Sequence, residues 1–123
     1  MMRVIAIEEH YAHPALQSPE ALGNLRKHPQ LARIQDKLED VGAGRIADMD
    51  VAGIDVQVLS HTVPGAEVLE PDRAIPGART ANDDLAKIVA AHPDRFAAFA
   101  ALPMRDPDSA ASVLSRAVGE LGF

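Results

Sequence analysis

The sequence has no cysteine and no tryptophan, and its aromatic side chains are one Tyr and three Phe. Without thiols, disulfide bonds and thiolate metal sites are excluded, and a reducing compartment is allowed. So few rings give little surface on which nucleobases could stack. Cations are scarce too: 12 Lys and Arg stand against 18 Asp and Glu, a formal charge of −6. Nucleic-acid and anionic-membrane surfaces need clustered cations, so no nucleic acid and no membrane is expected as a partner. No apolar run approaches the ~20 residues of a membrane span. Glu8 and Glu9 cut the run from Val4 to Ile7 short of a secretory signal. The chain is therefore expected to be soluble and cytoplasmic.

What is present is an Ala-rich chain of 123 residues with 47% hydrophobic content, enough for one modest core. Three short apolar runs read as strands: Val4–Ile7, Val56–Leu59 and Phe96–Leu102. Each is near-continuous rather than alternating, as in a parallel sheet covered on both faces. Helical patterns lie between them. Leu31, Ile34, Leu38 and Val41 form one apolar face. Arg45 to Ala52 makes a second helix with Gly53 as its stop. A third carries Ala78, Ala81, Leu85, Ile88 and Val89, with Pro76 placed near its first turn because an interior proline costs ~3 kcal/mol. A fourth spans Pro107 to Leu121, with Asp106 as N-cap and Gly122 as stop. Tyr11 to Pro29 holds Pro14, Pro19, Gly23 and Pro29 and reads as a loop with a short helical piece.

Strands alternating with helices imply an α/β fold whose strands pair in parallel, in the order 1-2-3, through right-handed crossovers. Three such strands cannot close a barrel and leave both sheet edges unpaired, so the chain looks unfinished.

The strongest chemical feature is Glu8-Glu9-His10 at the C-terminal end of the first strand. Strand alternation turns Glu8 and His10 to one face and Glu9 to the other. A carboxylate and an imidazole so placed can chelate one divalent ion; the plainer alternative is a surface pair fraying off a strand. His61 follows the second strand on the same rim, where it could bind substrate or move protons, or be a polar loop residue. His13 and His28, each near a proline, read as loop residues, and His92 as a helix-terminal cap. Asp48 and Asp50 read as a solvated helix face. There is no dinucleotide fingerprint, P-loop or nucleophile elbow.

Four ordered blocks carry a resemblance. They are Val4 to His10; Asp48 to Ser60; Ala81-Asn82-Asp83-Asp84-Leu85-Ala86 with His92-Pro93-Asp94-Arg95-Phe96; and Phe99 to Pro103, followed by Asp106-Pro107 and Glu120 to Phe123. Together they resemble the amidohydrolase-related metal-dependent decarboxylases, such as those acting on γ-resorcylate, 2,3-dihydroxybenzoate and 5-carboxyvanillate. The resemblance covers nearly the whole chain and is weakest between Tyr11 and Val41.

It implies that residues 1–123 are the N-terminal portion, about three βα units, of a TIM-barrel amidohydrolase fold. It implies one divalent metal ion, Zn²⁺ or Mn²⁺, with Glu8 and His10 as ligands; the first-strand motif here is Glu-x-His, where many other amidohydrolases have His-x-His. It further implies a small aromatic carboxylic acid as substrate, homo-oligomeric assembly, and catalytic residues beyond residue 123, namely a His on a middle strand and an Asp on the last. The expected reaction is non-oxidative decarboxylation, with the fragment inactive alone. Amide or lactone hydrolysis on the same scaffold, and a small non-catalytic α/β module, are the alternatives.

Overall fold

The computed structural model describes residues 2–123. Strand β1 (Ile5–Tyr11) leads through a 3₁₀ turn (Pro14–Leu16) into helices α1 (Pro19–Arg26), α2 (Pro29–Glu39) and α3 (Ala43–Ala52). Strand β2 (Val56–His61) is followed by a 3₁₀ turn (Gly65–Val68) and α4 (Pro71–Ala91), then β3 (Phe96–Ala98) and α5 (Pro107–Gly119). The three strands pair in parallel, in the order β1-β2-β3, as expected. No helix among the described residues is long and apolar enough to cross a membrane.

The helix ends follow from local chemistry. The Ser18 hydroxyl accepts the Ala21 N–H at 3.0 Å, and a carboxylate oxygen of Asp106 accepts the Ser109 N–H at 3.1 Å, so α1 and α5 each begin on a side-chain cap. Gly53 ends α3 in the left-handed region, at φ 69°.

Several element bounds differ from expectation: β1 starts at Ile5 rather than Val4, α3 at Ala43 rather than Arg45, and α5 ends at Gly119 rather than Leu121. β1 runs on through Glu8, Glu9 and His10, because polar side chains can continue a strand whose outer face stays open. β2 likewise extends to His61. β3 stops at Ala98, where its ladder with β2 ends at the Leu59–Ala98 pair. α4 starts at Pro71, five residues before Pro76, so Pro76 lies inside the helix.

The helical layer covers one face of the sheet. Tyr11, Leu59, Phe96 and Ala98 from the strands pack against Met49 of α3 and Leu85 of α4 in the main core. A second cluster joins Leu16 and Leu69 to Ala74, Ala78 and Ala81 of α4. Asn82, polar within that apolar stripe, is buried but satisfied. Its amide donates to the Ala101 carbonyl at 2.9 Å and accepts the Ala101 N–H at 2.8 Å, tying α4 to the chain beyond β3. Among the described residues no helix lies on the opposite face of the sheet, and Ile5 and Ile7 are exposed.

Candidate metal centre

β1 does not alternate strictly. Ile5 and Ala6 pair with Val56 and Gln57, but Glu9, His10 and Tyr11 pair with Leu59, Ser60 and His61. One extra residue is therefore lodged in β1 between Ala6 and Glu9, and Glu8 sits there at φ 61°. Unbroken alternation would put Ile5 and Ile7 on the side of Glu9 and Tyr11. The bulge reverses this. Glu9 and Tyr11 turn toward the helices, and His10 joins Ile5 on the open face.

The hydrogen bonds agree with that register. The Gln57 amide donates to a Glu9 carboxylate oxygen at 3.2 Å, on the helix side. The His10 Nδ1 lies 3.4 Å from the Ser60 hydroxyl, on the open side. That leaves the His10 Nε2 without a partner among the described residues. The Glu8 side chain is exposed at the extra position of the bulge, beside this ring in sequence.

This donor set fits a divalent ion. Carboxylate and imidazole suit both Zn²⁺ and Mn²⁺. A ligating His commonly has its second nitrogen held by a neighbour, the place Ser60 takes here. Two donors are not a complete site, and among the described residues no cluster of three His, Asp or Glu could hold a metal ion.

His61 is differently placed. Its Nε2 accepts the His13 N–H at 3.0 Å and its Nδ1 donates to the Thr62 carbonyl at 2.7 Å. Burial lowers its proton affinity below the usual imidazole value, against the hydrogen bonds to Thr62 and His13. It lines a cleft of about 120 Å³ with Leu16, Thr62, Ala101 and Leu102. With both nitrogens engaged by the backbone it forms a wall of that cleft and has no free nitrogen with which to move protons.

His13 is more than a loop residue. Its Nδ1 accepts the Ala15 N–H at 3.2 Å, and its Nε2 reaches Asp84 of α4 at 3.1 Å. Lys87 first and His13 second hold the Asp84 carboxyl below the usual carboxylate range. His28 precedes α2 without a side-chain cap, and His92 closes α4 with its ring edge-on to Phe96 at 5.9 Å. Asp48 and Asp50 pair with Lys37 at 2.6 Å and Arg95 at 2.7 Å. Arg45, Gln57 and Asn82 escape sequence reasoning. For Asn82 the signal was available, as a polar residue inside an apolar helical stripe.

The amidohydrolase profile matches residues 26–123. The chain belongs to the amidohydrolase family. Over its whole length this amidohydrolase chain is 42% identical to the γ-resorcylate decarboxylase of Rhizobium radiobacter, of which it covers 37%. It superposes on a dihydroxybenzoic acid decarboxylase from Polaromonas sp. JS666, solved with bound manganese and the inhibitor 2-nitroresorcinol, with a TM-score of 0.84. The identity there is 39%, over 100% of this chain and 37% of that one. The manganese-bound 5-carboxyvanillate decarboxylase of Novosphingobium aromaticivorans gives 0.83 at 30% identity, covering 98% of this chain and 40% of the other. The chain thus spans little more than a third of the length of these relatives. Its three parallel strands are the amidohydrolase fold's first βα units.

Proposed function

We propose that this chain is the N-terminal part, a partial (β/α) barrel domain, of a cytoplasmic, homo-oligomeric metal-dependent decarboxylase. Its substrate is a small hydroxybenzoate-type aromatic acid. The observation that carries this reading is at the C-terminal end of β1: His10 on the sheet face free of helices, with the exposed Glu8 two residues before it in the bulge. Barrel enzymes build their sites at that end of the strands. The 42% identity to γ-resorcylate decarboxylase, over the whole of this chain and 37% of that enzyme, supports the substrate class.

Glu8 and His10 would hold one Zn²⁺ or Mn²⁺ ion. When bound, such an ion draws in and polarises the substrate carboxylate. The chain's own residues do the rest of the local work. Glu8 contributes negative charge at the mouth of the strand. His10 offers Nε2 while Ser60 steadies the ring through Nδ1. His61, Leu16 and Leu102 wall the adjoining cleft. The remaining ligands and the acid that protonates the ring carbon would come from residues outside these 123.

The test is a chimera in which this chain replaces the matching first third of the Rhizobium radiobacter enzyme. The chimera is expected to bind Mn²⁺ and release CO₂ from γ-resorcylate. Glu8→Gln or His10→Ala should lower turnover by more than about 100-fold, beyond the 10–100-fold cost of losing an outer-shell partner. Undiminished turnover in either variant would overturn the ligand assignment. A folded, metal-loaded chimera that cleaves lactones but no aromatic acid would overturn the reaction.

A further inference from the structure

Arg45 lies on the far side of the sheet from the metal pair, yet it grips the same stretch of backbone. Its Nη2 donates to the His10 carbonyl at 2.8 Å and to the Lys37 carbonyl at 3.2 Å. Its Nε donates to the Asp40 carbonyl at 2.7 Å. Its Nη1 donates to the Gln57 side-chain oxygen at 3.2 Å, and the Gln57 amide in turn donates to Glu9. One half-buried guanidinium therefore ties the end of α2, the start of β2 and the end of β1 together. The fork geometry of arginine makes this possible; a lysine has only a point charge to offer.

The sequence delivers Arg45 to this place through a tight corner. An Asp40 carboxylate oxygen accepts the Gly42 N–H at 2.9 Å, turning the chain between α2 and α3. At Gly44 the Asp40 carboxylate occupies the space that a Cβ would need. Arg45 follows directly and points back to β1.

What it braces is a strained segment. Glu8 is the one non-glycine residue at positive φ among the described residues. An L-residue there is strained by its Cβ and persists only where its surroundings hold it. The two residues that follow Glu8 are held from behind, Glu9 by its carboxylate and His10 by its carbonyl. With Glu9 and the His10 carbonyl fixed, the Glu8 side chain and the His10 ring are left to face outward.

We propose that Arg45, relayed through Gln57, is a positioning residue that holds the bulge of β1 and so sets the pose of Glu8 and His10 for metal. The inference rests on the metal reading above. The test uses the chimera described above, with residues 1–123 ¹⁵N-labelled, its amide spectrum recorded without metal and during a MnCl₂ titration. In wild type the Glu8 and His10 amides should broaden first. Without metal, Arg45→Met should shift the Glu8, Glu9 and His10 amides while the remaining spectrum stays dispersed. With metal, it should raise the Mn²⁺ concentration for half-broadening about tenfold or more. Gln57→Met should raise it by less, and Arg45→Lys should restore part of the loss.

Asp50→Asn, which breaks a pair with Arg95 away from β1, should change neither reading. Should Arg45→Met fail to fold, Gln57→Met and Arg45→Lys decide. A folded variant with unmoved β1 amides and an unchanged midpoint would overturn the positioning role alone. No Mn²⁺ effect at Glu8 and His10 in wild type would overturn the metal reading, and the positioning role with it.

Discussion

His61 is fixed in one tautomer by two main-chain groups, the Thr62 carbonyl at Nδ1 and the His13 N–H at Nε2. A proton on Nε2 would turn that acceptor into a donor facing another donor. Burial already lowers the folded ring's proton affinity below the usual imidazole value of about 6.5. The unfolded chain therefore takes up a proton first as pH falls. The contribution of this neutral ring is fully present above about pH 6.5 and is lost as pH drops through the lower folded value. Between the two values stability should fall by up to about 1.4 kcal/mol per pH unit. Urea midpoints between pH 7.5 and 5 should show this slope, and His61→Gln, which titrates nothing there, should flatten it. An equal slope in the variant would place the titration elsewhere.

At the scale of elements, Gly77 and Gly23 make opposite expectations from the same substitution. Both lie in helices, where Ala is ordinarily better than Gly by about 1 kcal/mol. Nothing lies within 4 Å of a Cβ at Gly23, so Gly23→Ala should gain about that much. At Gly77 the Cβ would come within 2.6 Å of the Ala15 carbonyl oxygen and 3.3 Å of the Leu16 side chain. Backbone would have to move, so Gly77→Ala should lose about 1–3 kcal/mol instead. Thermal melts of the two variants check the difference in sign. The 3₁₀ turn at Pro14–Leu16 sits on α4 only because Gly77 leaves room for it.

Such contacts mark the limit of what was legible in the sequence. Strand number, parallel order and the main helix faces follow from periodicity and turn residues, which are local signals. The end of β1 did not, since Glu8, Glu9 and His10 look like a strand's end unless one face is known to stay open. The bulge had no glycine to announce it. Glu8 and His10 could be picked out by type and spacing, but strict alternation took no account of the extra residue lodged at Glu8. Arg45 was invisible because its partners, from Lys37 to Gln57 and back to His10, meet only after the corner at Gly42 and Gly44 has formed.

On the scale of the whole molecule, the sheet has one covered face and one bare one. Ile5, Ile7 and Phe99 are 55%, 66% and 52% exposed. A parallel sheet is ordinarily covered on both sides, and exposed apolar side chains on such a face favour a partner. β3 adds a free edge, since it pairs with β2 alone. In a barrel the bare face turns inward and the edge is taken by the next strand. In the isolated 123-residue chain neither is satisfied, so the chain should self-associate through them. Sedimentation velocity over a range of concentrations should show a shifting average mass. Ile5→Lys combined with Ile7→Lys should move it toward the monomer. Both side chains are already mostly in water, so each substitution should change stability by no more than about 0.5 kcal/mol. A wild-type chain that stays monomeric at every concentration would mean that the bare face and the β3 edge both tolerate water, and would overturn the self-association prediction.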